Sequence, residues 1–289
     1  MPFPFIVVDQ NQFRNPSAAA AIFDRCCRER LQILIPDGAG FELSKGSDPY
    51  STWVQTLTPI AAYSELVVVG RKITEICRDE FASGYPSTTL VDVSGTERFR
   101  DLLRQLASGD ESGIRNVIEG PVKRLKPASM DQWSNHDQIK SLIVTVRDSI
   151  NSSLTFAMIK DLRKHNVDAM CAWLASSTGV RFIFQFLKSR GATSATALRL
   201  AVTPSVLGFF VSGIAAMALY WIAFGGLDAV PPKAATNDIH DLEYAVLGAL
   251  SATMSSNDKR LNAILQAIKG GFGRPQWFVR ALDVGPERA

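Results

Sequence analysis

The chain has 289 residues, 46% of them hydrophobic and 20% charged, which supports one large core or two modest ones and argues against a disordered chain. Its formal net charge of +3 is too small to announce a nucleic-acid binder, because local clustering of charge matters more than its total. Four cysteines without a C-x-x-C pair, and no histidine at ligand spacing, indicate neither a disulfide framework nor a zinc site; with no signal-peptide pattern in MPFPFIVVDQ, a reducing cytoplasmic setting is expected.

The first element is the apolar run FIVVD over residues 5–9, a strand ending in an acid. Asn15 as N-cap and Pro16 at the first helical position then open an alanine-rich amphipathic helix over Ser17–Leu31. QILI at 32–35 is a second strand closed by Pro36, and Phe41–Lys45 starts another helical stretch. This β-α-β-α order predicts an α/β fold with a central parallel sheet flanked by helices. Ser51–Tyr63 and Thr96–Leu106 read as helices, and Glu65–Gly70 and Leu90–Val93 as short runs that extend the sheet.

From Gly109 to Val230 the sequence becomes polar and helix-favouring, with helical patterns at Gln138–Ser149, Thr155–Lys164 and Val167–Ala175. We read residues 109–235 as a helical insertion between two parts of one core, 1–108 and 236–289. The second part opens on a helix over Asp238–Ala252, followed by a strand at Thr253–Ser255 and the turn Ser256-Asn257-Asp258.

Within the insertion, residues 206–227 carry no charge and are long enough to span a bilayer. A span there would put Asp9 and Glu42 on one side of a membrane and Asp241 and Asp258 on the other. The expectation is therefore a buried helix or helix pair and no membrane, with Gly208, Gly213, Gly225 and Gly226 suited to close packing. A membrane-anchored protein in which the acids are incidental is the competing reading.

The acids carry the chemical argument. An acid at the carboxyl end of a parallel strand points into the crevice where such folds bind ligands, and Asp9 has that place. Glu42 follows the second strand by a distance that returns a longer carboxylate to the same crevice, Asp241 lies early in a helix, and Asp258 follows a short strand. Clustered carboxylates repel and raise one another's pKa, and a divalent cation removes that difficulty. No G-x-S-x-G elbow, phosphate-binding G-x-x-x-x-G-K-[ST] loop or dinucleotide fingerprint offers another chemistry.

The phrases VVDQN (7–11), FELSKG (41–46) after the second strand, NDIHDLEYAVLGALSA (237–252) and SNDKRL (256–261) resemble, in order, the four acidic motifs of PIN-domain nucleases. That resemblance implies a PIN-like fold and hydrolysis of RNA by water activated with Mg2+ or Mn2+. It implies Asp9, Glu42, Asp241 and Asp258 as catalytic metal ligands, Asp238 as an additional ligand candidate, Asn11 as support of the first acid and Ser256 as the hydroxyl near the last. It further implies a toxin-like or RNA-processing endoribonuclease with an inhibitory protein partner, and is compatible with a homo-oligomer. The long insertion departs from the small toxin members.

Each residue also has a plainer reading. Asp9 and Asp258 are acceptable turn formers or caps, Glu42 an ordinary solvated glutamate, and Asp238 and Asp241 two caps of one helix. The resulting alternative is a catalytically silent interaction module on the same scaffold. His136, His165 and His240 are scattered and suit magnesium poorly. The clusters Lys123–Lys126 and Lys188, Arg190, Arg199 are either phosphate contacts or solvated faces, and Trp133, Trp173, Tyr220 and Trp221 are read as core or interface residues.

Overall fold

The computed structural model describes residues 3–44, 47–110, 115, 136–164, 167–223 and 232–272. Strands β1 (Phe3–Val8), β2 (Gln32–Ile35), β3 (Val67–Gly70), β4 (Val91–Asp92) and β5 (Ser251–Ser255) form one sheet in the order β4-β3-β2-β1-β5. The fold is mixed α/β. The parallel sheet expected from the sequence is corrected at one edge: β1, β2, β3 and β5 are parallel, but β4 pairs antiparallel with β3. The strand residues Ile6, Val7, Val8, Ile33, Leu34, Val67 and Val68 are all buried, as a parallel sheet covered on both faces requires. Pro4 lies inside central β1, where it can give no ladder hydrogen bond; the register against β5 shifts between Phe3 and Ile6, which accommodates it.

The helices of the first part are α1 (Gln10–Phe13), α2 (Pro16–Glu29), α3 (Gly38–Leu43), α4 (Pro49–Ala61), α5 (Ile73–Ser83) and α6 (Val93–Ser108). Helix α2 begins as the sequence indicates, with Asn15 Oδ1 accepting from the N–H groups of Ser17 and Ala18, and ends two residues early because Arg30 turns left-handed (φ 55°). Helix α3 starts at Gly38 rather than Phe41, and α6 starts at Val93, where Asp92 accepts from the Gly95 N–H. Helix α5 was not anticipated.

The later helices are α7 (His136–Asn151), α8 (Phe156–Leu162), α9 (Val167–Leu174), α10 (Ser177–Ser189), α11 (Ser194–Val202), α12 (Val206–Ala223), α13 (Pro232–Leu250) and α14 (Lys259–Phe272). Helix α13 starts before Asp238 and stops at Leu250, so Ser251 and Ala252 belong to β5. It packs on β1, β5, α12 and α14. One hydrophobic core runs from the sheet through α7, α9, α12, α13 and α14, and α10 and α11 close on a smaller one of Val180, Ile183, Leu187, Ala197 and Leu200.

Helix α12 is long and apolar enough to cross a membrane, and most of it is buried inside the protein. Among the described residues eight other helices touch it, including α5, α13 and α14. Two glycines make the approach close: a Cβ on Gly208 would collide with the Leu200 carbonyl, and one on Gly213 with the Leu242 side chain. Gly225 and Gly226, like residues 224–227 of the apolar run, lie outside the described residues.

Candidate functional site at the sheet's switch point

The strand order places β2 and β3 on one side of β1 and β5 on the other. Chain direction therefore reverses its sideways progress between β1 and β5, and that gap, at the carboxyl ends of the strands, is where open α/β sheets bind ligands. Asp9 follows β1 and Ser256 follows β5 across this gap. The Asp9 N–H donates to the Ser255 carbonyl at 2.9 Å, which locks the two strand ends together.

A single hydroxyl joins the acids there. Ser256 Oγ donates to Asp9 Oδ2 at 2.9 Å and accepts from the Asp258 N–H at 3.1 Å. Asp9 Oδ1 accepts the Asn11 N–H at 3.1 Å and so caps α1. Asn11 thus supports the first acid through its backbone, while the residue itself is exposed. Asp258 Oδ1 accepts the N–H groups of Arg260 at 2.7 Å and Leu261 at 2.9 Å, opening α14. Asn262 Nδ2 donates to the Ser256 carbonyl at 2.9 Å and holds the turn from below. Asp9, Ser256 and Asp258 are each half-buried.

The other acids fare differently. Asp241, on α13, faces a cation: Arg260 Nη2 lies 3.5 Å from its Oδ2. Glu42 lies in α3 and Asp238 in α13, but their side chains lie outside the described residues, as do the side chains of His136 and His240. His165, Trp133 and Lys123–Lys126 lie outside the described residues altogether. Trp173 and Trp221 are core residues. Arg190 sits over the Phe186 ring, and Arg199 over Tyr85, with its Nη1 donating to the Gly84 carbonyl at 2.8 Å.

The sequence reading overlooked three charged groups near this edge. Asp37 follows β2. The protein crowded round its carboxyl raises it above the usual range, Lys72 pulls it back, and Glu75 and Asp92 raise it further; because the residue is exposed, solvent limits the effect. Glu243, two residues beyond Asp241, lies against Gly38, where a Cβ would come within 2.7 Å of its Oε2. It also adds to the upward push that burial, first, and Glu80 give the Cys77 thiol. Arg260 is the third. The D-x-E pair in HDLEY and the K-R pair after Asp258 were the signals for the last two.

Magnesium is commonly bound through one or two carboxylates while it keeps several waters. Asp9 and Asp258 fit that need. Each carboxylate oxygen has two lone pairs, so the hydrogen bonds to Asn11 and Ser256 leave Asp9 with acceptor capacity, and Asp258 Oδ2 accepts no hydrogen bond among the described residues. Among the described residues, which leave out the Glu42 and Asp238 side chains, no three His, Cys, Asp or Glu side chains stand together as a metal-holding group. No protein-family model, curated protein or solved structure matches the chain.

Proposed function

We propose that this chain is a metal-dependent nuclease of PIN type, acting on RNA in the cytoplasm with one Mg2+ or Mn2+ ion at the switch point. The observation that carries the reading is the Ser256 hydroxyl, which ties Asp9 to the Asp258 backbone across the β1–β5 gap. The order of the four acidic phrases supports the family. Asp9 and Asp258 would hold the ion, with Ser256 and the Asn11 N–H fixing the Asp9 carboxylate. A bound ion would supply Lewis acidity at the phosphodiester and activate the attacking water.

The chain's own groups would do the rest. Asp9 is fixed on both oxygens, so it is oriented before a ligand arrives. Asp258 is fixed through Oδ1, and the N-terminus of α14 beneath it favours negative charge. In hydrolysis the water oxygen forms the new bond to phosphorus while a sugar oxygen leaves and takes a proton, so no side-chain nucleophile is needed. An inhibitory partner and a homo-oligomer remain expectations of the family resemblance.

The silent-scaffold reading has one observation in its favour: Asp9 and Asp258 both cap helices already. Labelled RNA and DNA incubated with manganese, with chelator, and with an Asp9→Asn variant separates the two. Cleavage of RNA that needs manganese and vanishes in the variant supports the nuclease. Cleavage that survives chelator removes the mechanism, and no cleavage of either substrate by the wild type removes the activity.

A further inference from the structure

Resting on that reading, we infer that Arg260 receives the phosphate of the substrate and that Asp241 positions Arg260 instead of binding metal. The Arg260 N–H donates to Asp258 Oδ1 at 2.7 Å, so its Cα is pinned one short step from the carboxylate that would hold the ion. Its guanidinium then reaches across to α13, with Nη2 3.5 Å from Asp241 Oδ2. The same arginine is therefore held at its backbone by one motif acid and at its side chain by another. Both side chains of the pair keep about a quarter of their surface in solvent, 29% and 26%, which leaves an approach for an anion.

Electrostatics gives this arrangement a purpose. A phosphodiester approaching Asp9 and Asp258 meets two carboxylates, and one divalent ion neutralises them without adding attraction for the second phosphate oxygen. The guanidinium carried two residues after Asp258 would supply that attraction, and its planar fork can meet a phosphate and a carboxylate together. The N-terminus of α14, a helix of fourteen residues, adds partial positive charge in the same place. A purely structural ion pair is the alternative, and a partly exposed pair at 3.5 Å contributes little to stability. Asp241 pinned against a guanidinium is poorly placed as a third metal ligand, since the ion and the arginine would compete for one carboxylate.

The test uses the full chain and two readouts. The first is the affinity of a fluorescent single-stranded RNA for the non-cleaving Asp9→Asn protein, alone and combined with Arg260→Ala, Arg260→Lys or Asp241→Asn. The second is KM, kcat and the manganese-induced rise in melting temperature for each single variant. Arg260→Ala should weaken RNA affinity and raise KM on the order of tenfold or more, the loss expected from one charge-assisted hydrogen bond. Arg260→Lys should recover part of it, and Asp241→Asn should fall between. All three should keep the wild-type manganese-induced stabilisation. Unchanged RNA affinity and KM in Arg260→Ala would overturn the inference. So would an Asp241→Asn protein that loses its response to manganese, because Asp241 would then belong to the metal. If the wild type cleaves neither RNA nor DNA, the nuclease reading fails, and the role of Arg260 is decided by RNA affinity alone.

Discussion

Among the helix N-termini that carboxylates hold in this molecule, two make a contrast, one at the sheet's open edge and one in the interior. At the edge, Asp258 accepts the Arg260 and Leu261 N–H groups of α14 from within its own turn. In the interior, Glu80 of α5 reaches α12 from more than a hundred residues away and accepts the N–H groups of Val206 at 3.1 Å, Leu207 at 2.7 Å and, from the loop after α5, Ser87 at 2.8 Å. Glu80 is 1% exposed, whereas Asp258 is half-buried. The same chemistry thus serves opposite ends. The rim carboxylate accepts through one oxygen among the described residues, while the one sealed in the core spends both oxygens on backbone donors and fastens the apolar helix to the sheet layer.

The largest expected effect tests the interior half. Glu80→Ala strands the N–H groups of Val206, which is buried, and of Leu207 and Ser87, which are half-buried, without their acceptor, and should cost about 3 kcal/mol or more of stability in denaturant unfolding. A loss under about 1 kcal/mol would mean that water replaces the carboxylate cheaply. Titration sharpens the point. Burial raises the Glu80 carboxyl above its ordinary value of 4.5, against the lowering by the Leu207, Ser87 and Val206 N–H groups. A group raised in the folded state contributes stability that is full below its unfolded pKa and fades as pH rises through the folded value. The margin of wild type over Glu80→Gln should therefore be widest in acid and narrow as pH rises. A margin that widens with pH contradicts this.

The next two effects test the rim. Asp258→Asn keeps a capping oxygen but removes the charge for a cation, so manganese-dependent cleavage should fall on the order of 100-fold or more with the fold retained. Ser256→Ala deletes the hydroxyl shared by Asp9 Oδ2 and the Asp258 N–H. It should cost about 10–100-fold in activity, as loss of a group that orients a ligand does. Equal activity of Ser256→Ala and wild type would show that the Asp9 carboxylate is oriented without it.

What the sequence revealed follows the same division between near and far. The strand-end places of Asp9, Ser256 and Asp258 were legible because the apolar runs before them are local signals, whereas the bond from Ser256 to Asp9 joins residues far apart in the chain. The strands and the Asn15-Pro16 start of α2 were legible for the same reason. Helix α5 was not, and the cause is Glu80 itself. Its buried face is Ile73, Ile76, Cys77 and Glu80, so an acid occupies the position where the helical period calls for an apolar residue. Its partners at 206 and 207 are invisible from local pattern. The boundary at Leu250 was misplaced because alanine favours helix, whereas pairing of Ser251 with Phe3 draws the chain into β5. Arg260 was passed over because a basic residue beside an acid reads as a solvated turn until α13 brings Asp241 against it.

The smallest effect separates the two roles assigned to Asp258. Asp258→Asn and Asp258→Ala both delete the charge. They differ only at the cap, since asparagine still offers an oxygen to the Arg260 and Leu261 N–H groups and alanine does not. Replacing such a cap by alanine typically costs about 1 kcal/mol, so Asp258→Ala should be less stable than Asp258→Asn by about that amount while the two are equally inactive. Because Asp258 is half-buried whereas Glu80 is 1% exposed, water reaches the vacated edge cap more readily, and the cost stays well below that of Glu80→Ala. Paired unfolding curves of the two Asp258 variants without metal supply the comparison. If Asp258→Ala proves as costly as Glu80→Ala, the edge cap is as structural as the interior one, and a rim carboxylate held ready for a ligand is the wrong description of Asp258.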